Sequence, residues 1–470
     1  MEGTIRNSTA RVIFLSMVAS LGGFLFGFDS GVINGTVDAL QKAFNSDAVG
    51  TGFNVASVLL GCAAGAFFAG MLADRFGRKP VLIVAGLGFI ISAWGSGIAS
   101  GSAEFVFYRL LGGLSVGAAS IISPAYISEI APSNIRGRLT SLQQLAIVLG
   151  LFFSFFSNYN LASVAGGASD KLWWGFDAWQ WMFWMELVPA LVFFICLLFI
   201  PESPRYLVAA GKAEKAITVL ASMVNREDAK KQVVEIKKTM VQEQKPRLLD
   251  IVNKKTKKIH PIVWVGIGLA MLQTFTGIDV VFYYGSVLWQ AAGFTESDAL
   301  LTNVIIGAVN IAFTILAIFL VDRIGRKPLL MIGGLGQALM LGLMAAVFVV
   351  NAEDAADGLA MNGTVGIMAL LAAIGFIAFF ALTWGPVMWV MLGEMFPNKY
   401  RGAALAMAGM SNWLANFLVT ITFPVLLTNF GLGISYGVYA VFGIVAFAFV
   451  YRYVKETKGK TLEEISLEQE

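Results

Sequence analysis

The heptapeptide Asp74-Arg-Phe-Gly-Arg-Lys-Pro80 occurs a second time, with one substitution, as Asp322-Arg-Ile-Gly-Arg-Lys-Pro328. A longer segment follows each copy, because Glu129-Ile-Ala-Pro-Ser-Asn-Ile-Arg-Gly137 corresponds to Glu394-Met-Phe-Pro-Asn-Lys-Tyr-Arg-Gly402. Each motif stands at the same place in its half of the chain, so the order of the segments is duplicated along with the motifs. The repeat predicts two equivalent halves.

The composition indicates that lipid is the solvent of this chain. Hydrophobic residues make up 57% of its 470 residues and charged residues 13%, and the mean hydropathy is +0.74. Soluble globular proteins carry roughly a quarter charged residues. A chain with half that fraction has too little polar surface for water, which excludes a soluble enzyme.

The apolar residues fall into twelve blocks of the length that crosses a bilayer, about 20 residues or somewhat more. Their approximate limits are 11–34, 50–73, 81–100, 103–124, 139–160, 179–200, 261–290, 299–321, 329–350, 365–391, 403–428 and 432–453. These blocks lack the alternation of barrel strands, so helix is the conformation that satisfies their backbone. A cleaved signal peptide is the alternative for the first block, but that block is long and contains Asp29.

We therefore expect an all-α membrane protein with twelve transmembrane helices in two six-helix repeats. Residues 1–200 form the first half, 201–260 a linker, 261–455 the second half and 456–470 a tail. The linker mixes Lys, Glu and Ala with apolar residues at helical spacing, which favours short amphipathic helices over a disordered connection. Basic residues concentrate in alternate loops, so both termini are predicted to be cytoplasmic, in a plasma (inner) membrane.

The charged loop motifs predict contacts that hold neighbouring helix ends together. Charge-assisted hydrogen bonds between their acidic and basic residues would lock the cytoplasmic side while the outer side is open. Simple anchoring by positive charge is the alternative, although it does not require the acidic members. The predicted lock consists of Asp74, Arg75, Arg78, Glu129, Arg136, Asp322, Arg323, Arg326, Glu394 and Arg401, with Glu202 and Arg205 after the sixth block.

Over its full length the chain resembles the sugar porter family of the major facilitator superfamily, most of all the bacterial proton-coupled monosaccharide symporters. The matching segments are the loop motifs above, Pro201-Glu-Ser-Pro-Arg205, Gln273-x-x-Thr-Gly277 running to Tyr283-Tyr284, and Gly385-Pro-x-x-Trp389. The resemblance implies the major facilitator fold and a sugar site near the bilayer midplane between the halves.

The resemblance also implies which side chains contact the sugar. They are Gln144, Gln273, Asp279, Asn310, Trp389, Asn412, Trp413 and Asn416. Amides donate and accept hydrogen bonds as sugar hydroxyls do, although such residues could instead pair helices with each other. The chain departs from the family pattern at Thr274, which replaces a second glutamine, and at Asp279, which replaces an asparagine. Smaller departures are Gln180 and Lys455.

Ionisable residues deep in spans mark function by default. These are Asp29, Arg109, Glu186 and Asp279. Proton-coupled relatives have an aspartate at the position of Asp29, which implies that Asp29 carries the proton and Arg109 modulates it. A static ion pair is the alternative for these two. Asp279 is either a second titrating group or a substrate selector.

The resulting hypothesis is a secondary active transporter that imports a monosaccharide with protons by alternating access. A facilitative uniporter, a polyol or inositol symporter and a transporter-like sugar sensor are the alternatives. The sole histidine, His260, lies in a basic loop, and Cys62 and Cys196 lie in apolar blocks, so we expect no metal, cofactor or enzymatic site. The expected partners are the sugar, protons and the lipid bilayer, without nucleic acid, and the protein is expected to be a monomer.

Overall fold

The structure is a computed structural model that describes residues 2–132, 135–242, 251–252, 257–350, 363–397 and 400–459. For residues 2–9, 136–138, 239–242 and 363–364 it describes the backbone alone.

Eleven helices of the described residues are long and apolar enough to cross a membrane. The last, Arg401–Tyr453, has 53 residues and a left-handed break at Gly431 (φ 72°), so it makes two crossings. A helix rises about 1.5 Å per residue, so this one is more than twice the thickness of a bilayer core. The twelve crossings confirm the expected all-α membrane fold.

We number the crossings as spans 1 to 12. Their bounds are Ala10–Gly35, Ala48–Phe76, Arg78–Ile98, Ser102–Ile130, Leu139–Ala165, Ala178–Phe199, Pro261–Ala291, Glu296–Ile324, Arg326–Val350 and Val365–Met395, with spans 11 and 12 within Arg401–Tyr453. Span 1 belongs to the helix Glu2–Val32, which continues as the 3₁₀ turn Ile33–Gly35. Span 5 belongs to the helix Arg136–Ala165. A short helix, Val37–Phe44, connects spans 1 and 2.

Three of the spans are interrupted. Span 6 consists of Ala178–Met185 and Leu187–Phe199, span 7 of Pro261–Phe275 and Ile278–Ala291, and span 10 of Gly363–Leu382 and Trp384–Met395. The break in span 7 depends on Gly277, whose φ of 80° disfavours any residue with a side chain. Broken helices expose backbone polar groups inside a membrane, which is tolerated only around a cavity or within protein.

Spans 2 and 4 approach each other through glycine. A Cβ atom on Gly61 would overlap the carbonyl oxygen of Leu110, and one on Gly113 would overlap that of Val58. Lipid supplies no hydrophobic force between helices, so such close backbone packing is a main source of their association.

Three further helices, Pro204–Ala209, Ala213–Ala221 and Arg226–Gln242, lie between the halves in the chain. Their apolar residues, among them Leu207, Ala216, Leu220 and Val233, form a small buried cluster. We call the side of the bundle that carries these helices the linker face. Six crossings precede these helices and six follow them, so the start of span 1 and the end of span 12 lie on the linker face as well.

Candidate functional site

A buried ion pair joins spans 1 and 4. Nη1 of Arg109 lies 2.5 Å from Oδ1 of Asp29, and the two side chains are 1% and 2% exposed. The guanidinium also lies 5.9 Å from the centre of the Phe183 ring. Removing two charges from water is costly, and each partner here offsets part of that cost for the other.

A second carboxyl adjoins this pair. Glu186 occupies the break in span 6, is 1% exposed and lies next to Asp29. Its Oε1, and Nε and Nη2 of Arg109, make no hydrogen bond within the described part of the chain. The cluster therefore contains two carboxyls for one guanidinium, so it is electrically neutral only when it holds one proton. The sequence identified Glu186 as ionisable, but it assigned the residue no role.

The break in span 7 brings together amide side chains of spans 7 and 11. Nδ2 of Asn412 donates to Oε1 of Gln273 (3.0 Å) and to the carbonyl of Ala270 (2.8 Å), while Nε2 of Gln273 donates to the carbonyl of Trp384 (2.8 Å). In this conformation the two amides pair helices, which is the alternative that the sequence left open. Both residues remain candidates for sugar binding, because sugar hydroxyls can replace their present hydrogen-bond partners.

A second group connects spans 7 and 11 with span 1. Asn416 lies beside Asp279 and Tyr283, and Tyr283 also reaches Ser30, the neighbour of Asp29 in the chain. Trp413 packs on Phe26 of span 1, with ring centres 5.5 Å apart. The candidate sugar residues of the second half therefore lie next to the ion-pair cluster of the first half.

The three remaining sugar candidates lie on other spans. Asn310 in span 8 is buried, Gln144 in span 5 is half-buried, and Trp389 in span 10 is 41% exposed. Their role in binding stays a prediction. Gln143, the residue before Gln144, was not among the predictions. It is buried against Gly23 of span 1, and within the described part of the chain neither of its amide atoms is hydrogen-bonded. The Gln143-Gln144 doublet in an apolar block was the available signal.

On the face opposite the linker, Asn34 joins the two halves. Its Nδ2 donates to the carbonyl of Phe282 (2.8 Å), and its Oδ1 accepts from the backbone N–H of Ser286 (3.1 Å) and from Nδ2 of Asn303 (2.7 Å). The hydroxyl of Ser286 donates to the carbonyl of Asn34. These bonds hold the end of span 1 against spans 7 and 8.

Two carboxyls extend this contact outward. Oδ2 of Asp38 accepts from Nε2 of Gln290 (2.7 Å), and Oε1 of Glu296 accepts from the backbone N–H of Ala168 (2.7 Å). Both line a cavity of 590 Å³ together with Lys42. Burial raises the pKa of Asp38 above its ordinary value, and hydrogen bonding to Gln290 offsets this only in part. The cross-half bonds of Asn34, Asp38 and Glu296 close this face of the protein.

On the linker face, Arg78 connects the acidic members of the first repeat. It donates from Nε and Nη2 to Glu129 (2.9–3.2 Å) and from Nη1 to Asp74 (3.1 Å). Glu202 accepts from the backbone N–H of Arg78 (3.0 Å), and the hydroxyl of Ser203 donates to Glu129 (2.5 Å). All of these contacts lie within the first half and the start of the linker.

The second half repeats this arrangement. Arg326 donates to Glu394 (2.8 and 3.0 Å) and pairs with Asp322 (3.0 Å), while the hydroxyl of Thr457 donates to Glu394 (2.6 Å). Glu456 takes the place of Glu202, accepting from the backbone N–H groups of Arg326 (3.1 Å) and Lys327 (2.9 Å). Glu456 was not predicted from the sequence. The available signal was a Glu-Ser pair after the sixth span of the first half and a Glu-Thr pair after the sixth span of the second half.

The other predicted lock residues have different surroundings. Arg75 and Arg323 are exposed on the linker face, and Nε of Arg401 donates to the carbonyl of Phe396 (3.1 Å). Arg205 is half-buried in the helix Pro204–Ala209. The side chain of Arg136 lies outside the described residues.

Replacing Glu456 with Gln should destabilise the second half. Partial burial raises the pKa of Glu456, but four backbone N–H bonds outweigh it, so the pKa lies below the ordinary 4.5. The amide would place an NH₂ group against backbone donors, at a cost of roughly 1 kcal/mol for a partly exposed group. Thermal unfolding in detergent should show a lower Tm for Glu456→Gln than for the control Glu214→Gln, which changes an exposed linker residue.

The sign of the pH dependence follows from the lowered pKa. The contribution of Glu456 is complete above pH 4.5 and disappears as the pH falls through the lowered pKa. The Tm difference between the Glu456→Gln variant and wild type should therefore shrink in acid. A difference that stays constant to low pH would contradict this assignment.

Comparison with known proteins shows the same architecture. The family described as "Sugar (and other) transporter" matches residues 15–468. The glucose transport protein of Synechocystis sp. (strain PCC 6803) is 49% identical, over 97% of this chain and 98% of that protein. The D-xylose-proton symporter of Escherichia coli (strain K12) is 39% identical, over 97% and 96%.

Solved structures agree with these sequence relatives. The inward open conformation of the xylose transporter XylE from E. coli superimposes with a TM-score of 0.83 at 37% identity, covering 98% of this chain and all of that one. The structure of XylE, a major facilitator superfamily proton:xylose symporter, bound to 6-bromo-6-deoxy-D-glucose gives 0.78 at 38% identity over the same shares. With its twelve spans, its duplicated charged loops and these matches along its whole length, the chain belongs to the family of sugar transporters within the major facilitator superfamily.

Proposed function

We propose that this protein imports a monosaccharide together with protons by alternating access. The observation that carries the proposal is the position of the Asp29–Arg109 pair, which adjoins the polar group around Asn416 and Tyr283. A proton site and a sugar site that share span 1 can respond to each other. Relatives described as proton symporters of D-xylose and of arabinose support the same function.

The coupling that we propose is electrostatic. Arg109 attracts the negative charge of Asp29 while the two side chains are in contact, and this attraction is lost when the pair separates. A rearrangement that moves span 1 relative to span 4 would therefore load or release the proton. Glu186 lies next to Asp29 and would compete with it for the guanidinium of Arg109 when the two spans move.

We propose that the linker face is cytoplasmic and that the protein is a monomer in the inner membrane. The concentration of basic residues in the loops of the linker face supports this orientation. The closed opposite face and the TM-score of 0.83 to the inward open xylose transporter both support an inward-facing state.

The charged clusters around Arg78 and Arg326 act within each half in this state. They fasten the ends of spans 2 and 8 to the neighbouring helices. We propose that they form the rigid edges that meet across the halves when the cytoplasmic side closes. The face opposite the linker is closed in this state. A cytoplasmic lock is expected to be shut only in the other state, in which that face is open.

The experiment uses purified protein in proteoliposomes with an internal pH dye. Addition of D-glucose, D-xylose or arabinose outside should acidify the lumen when one of them is the substrate. Sugar entry without proton movement, unaffected by an uncoupler, would establish the uniporter instead. A response to inositol alone would establish the polyol symporter, and binding without any transport would favour the sensor.

The closed face opposite the linker should open more readily as the pH rises. Because burial raises the pKa of Asp38, the closed face binds a proton more tightly than an open one, and this advantage is lost as the pH rises through the raised pKa. Asp38→Asn should remove the dependence and keep the face closed. The measurement is the labelling rate of Val287→Cys, in the adjoining cavity, by an impermeant maleimide.

Both proteins carry Val287→Cys, and one of them also carries Asp38→Asn. At each pH between about 4 and 7, the labelling rate of the protein that keeps Asp38 is divided by the labelling rate of the Asp38→Asn variant. Taking this ratio cancels the pH dependence of the thiol itself. This ratio should rise with pH. Asp47→Asn, which changes another carboxyl of the same face, should not alter the rise. A ratio that does not depend on pH would contradict the assignment.

A further inference from the structure

Asp279 lies beside Asn416 in the candidate sugar site, and one of its two carboxyl oxygens has no hydrogen-bond partner among the described residues. It lies in the first turn of the second helix of span 7, two residues after the left-handed Gly277. Oδ2 is buried and makes no hydrogen bond to any described residue. The neighbouring amide, Asn416, accepts from Thr420 through Oδ1 (3.0 Å), which leaves its NH₂ group to face the carboxyl.

The surroundings of Asp279 hold no counter-ion among the described residues. The ionisable groups around it are Tyr283 in span 7, Cys62 in span 2, which faces Tyr283, and Tyr439 in span 12, against Gly277. None of them carries a positive charge. Among the described side chains, Arg109 is the one basic group that is fully buried, and it is paired with Asp29.

An ionised carboxylate here would be unfavourable once water leaves the site. In this inward-facing state Asp279 is partly exposed although its Oδ2 is buried, so water reaches part of the residue. Closure of the helices around a sugar would remove that water and leave the charge unpaired. The start of the helix favours a negative charge, but its contribution is a small fraction of the cost of burying an unpaired ion.

We propose that Asp279 binds the sugar as a neutral carboxylic acid, so that sugar binding takes up a proton at a site separate from Asp29. This inference rests on the proposed function as a sugar transporter. The carboxylate and one proton form an O–H group, which donates to a sugar hydroxyl while the carbonyl oxygen accepts from another. No bond of the sugar forms or breaks, and the proton is released when the sugar leaves.

The protonated acid supplies what the family asparagine would supply at this position. An ionised carboxylate can only accept hydrogen bonds, whereas both an amide and a carboxylic acid donate and accept. Sugar affinity therefore depends on protonation. Above the pH at which Asp279 loses its proton, the Kd should rise roughly tenfold for each pH unit, because one proton is bound per sugar.

The test is calorimetric titration of D-glucose, D-xylose and arabinose into purified protein, in buffers of different ionisation enthalpy. Both proteins compared carry Asp29→Asn, which removes the first proton site, and one also carries Asp279→Asn. Above the pH at which free Asp279 loses its proton, where all of these titrations are made, the protein that retains Asp279 should take up about one proton per sugar and show the pH-dependent Kd. The double variant should take up none and bind with a Kd that does not vary with pH. Asp228→Asn, in an exposed linker position, is the control for loss of a carboxyl.

Equal proton uptake with and without Asp279 would overturn the inference. So would tighter binding of D-glucosamine than of D-glucose that reverses in Asp279→Asn, because an ionised carboxylate would then be selecting a cationic sugar. Sugar binding without proton uptake in either protein leaves the transport function standing and refutes only the role of Asp279. Failure of every sugar to bind would instead refute the proposed function.

Discussion

Asp29→Asn, made in a protein that already carries Asp279→Asn, is expected to abolish sugar-driven proton uptake and sugar accumulation while leaving sugar exchange across the membrane. Asparagine has nearly the shape of aspartate but cannot carry the proton, so the rearrangement is no longer linked to proton movement. A membrane potential supplies about 2.3 kcal/mol per 100 mV for each charge moved. One coupled proton can therefore support a roughly 50-fold sugar gradient per 100 mV, and the variant should support none.

Proteoliposomes with an imposed potential provide the measurement. The Asp279→Asn protein should concentrate labelled sugar and the Asp29→Asn/Asp279→Asn protein should only equilibrate it, whereas counterflow with unlabelled sugar inside should proceed in both. Asp228→Asn, which changes an exposed carboxyl of the linker, should accumulate sugar like wild type. Accumulation by the double variant would show that the proton is carried elsewhere and that the Asp29–Arg109 pair is a static structural bridge.

Gly61→Ala is expected to have the largest effect on folding. Its Cβ would overlap the carbonyl oxygen of Leu110 and lie 2.9 Å from Cα of Gly113, so spans 2 and 4 would have to separate. These obstacles are backbone atoms, which cannot rotate away as a side chain can. Overpacking of this kind costs roughly 1–3 kcal/mol and more where the backbone must move. The measurement is the Tm in detergent together with the yield of monodisperse protein.

Gly342→Ala is the matched control. It lies in span 9, and a Cβ there meets no atom within 4 Å. Alanine is favoured over glycine in a helix by about 1 kcal/mol, so this variant should be as stable as wild type or slightly more stable. Equal Tm values for the two variants would mean that spans 2 and 4 are not held together by close backbone contact.

The interior of the candidate site was predictable only in part. Asp29 and Arg109 were expected to act together, and they form an ion pair between spans 1 and 4. Glu186 was recognisable as an unusual charge, but its approach to Asp29 depends on the break in span 6. Gln273 and Asn412 were expected at the sugar site, yet their hydrogen bond to each other depends on how spans 7 and 11 are rotated.

By itself the sequence determined the number of crossings, their duplicated order and the two charged loop motifs of each half, because apolar length and local motifs are properties of consecutive residues. Only the tertiary structure decided which polar groups meet. Asn34 reaches Phe282, and Glu456 reaches the first turn of span 9, across more than 100 positions of the chain. Such contacts depend on helix rotation and on breaks such as the one at Gly277, which no periodic pattern records. The repeat thus fixes where the halves are, while the packing of spans 1, 7 and 11 sets the surroundings of Asp29 and Asp279.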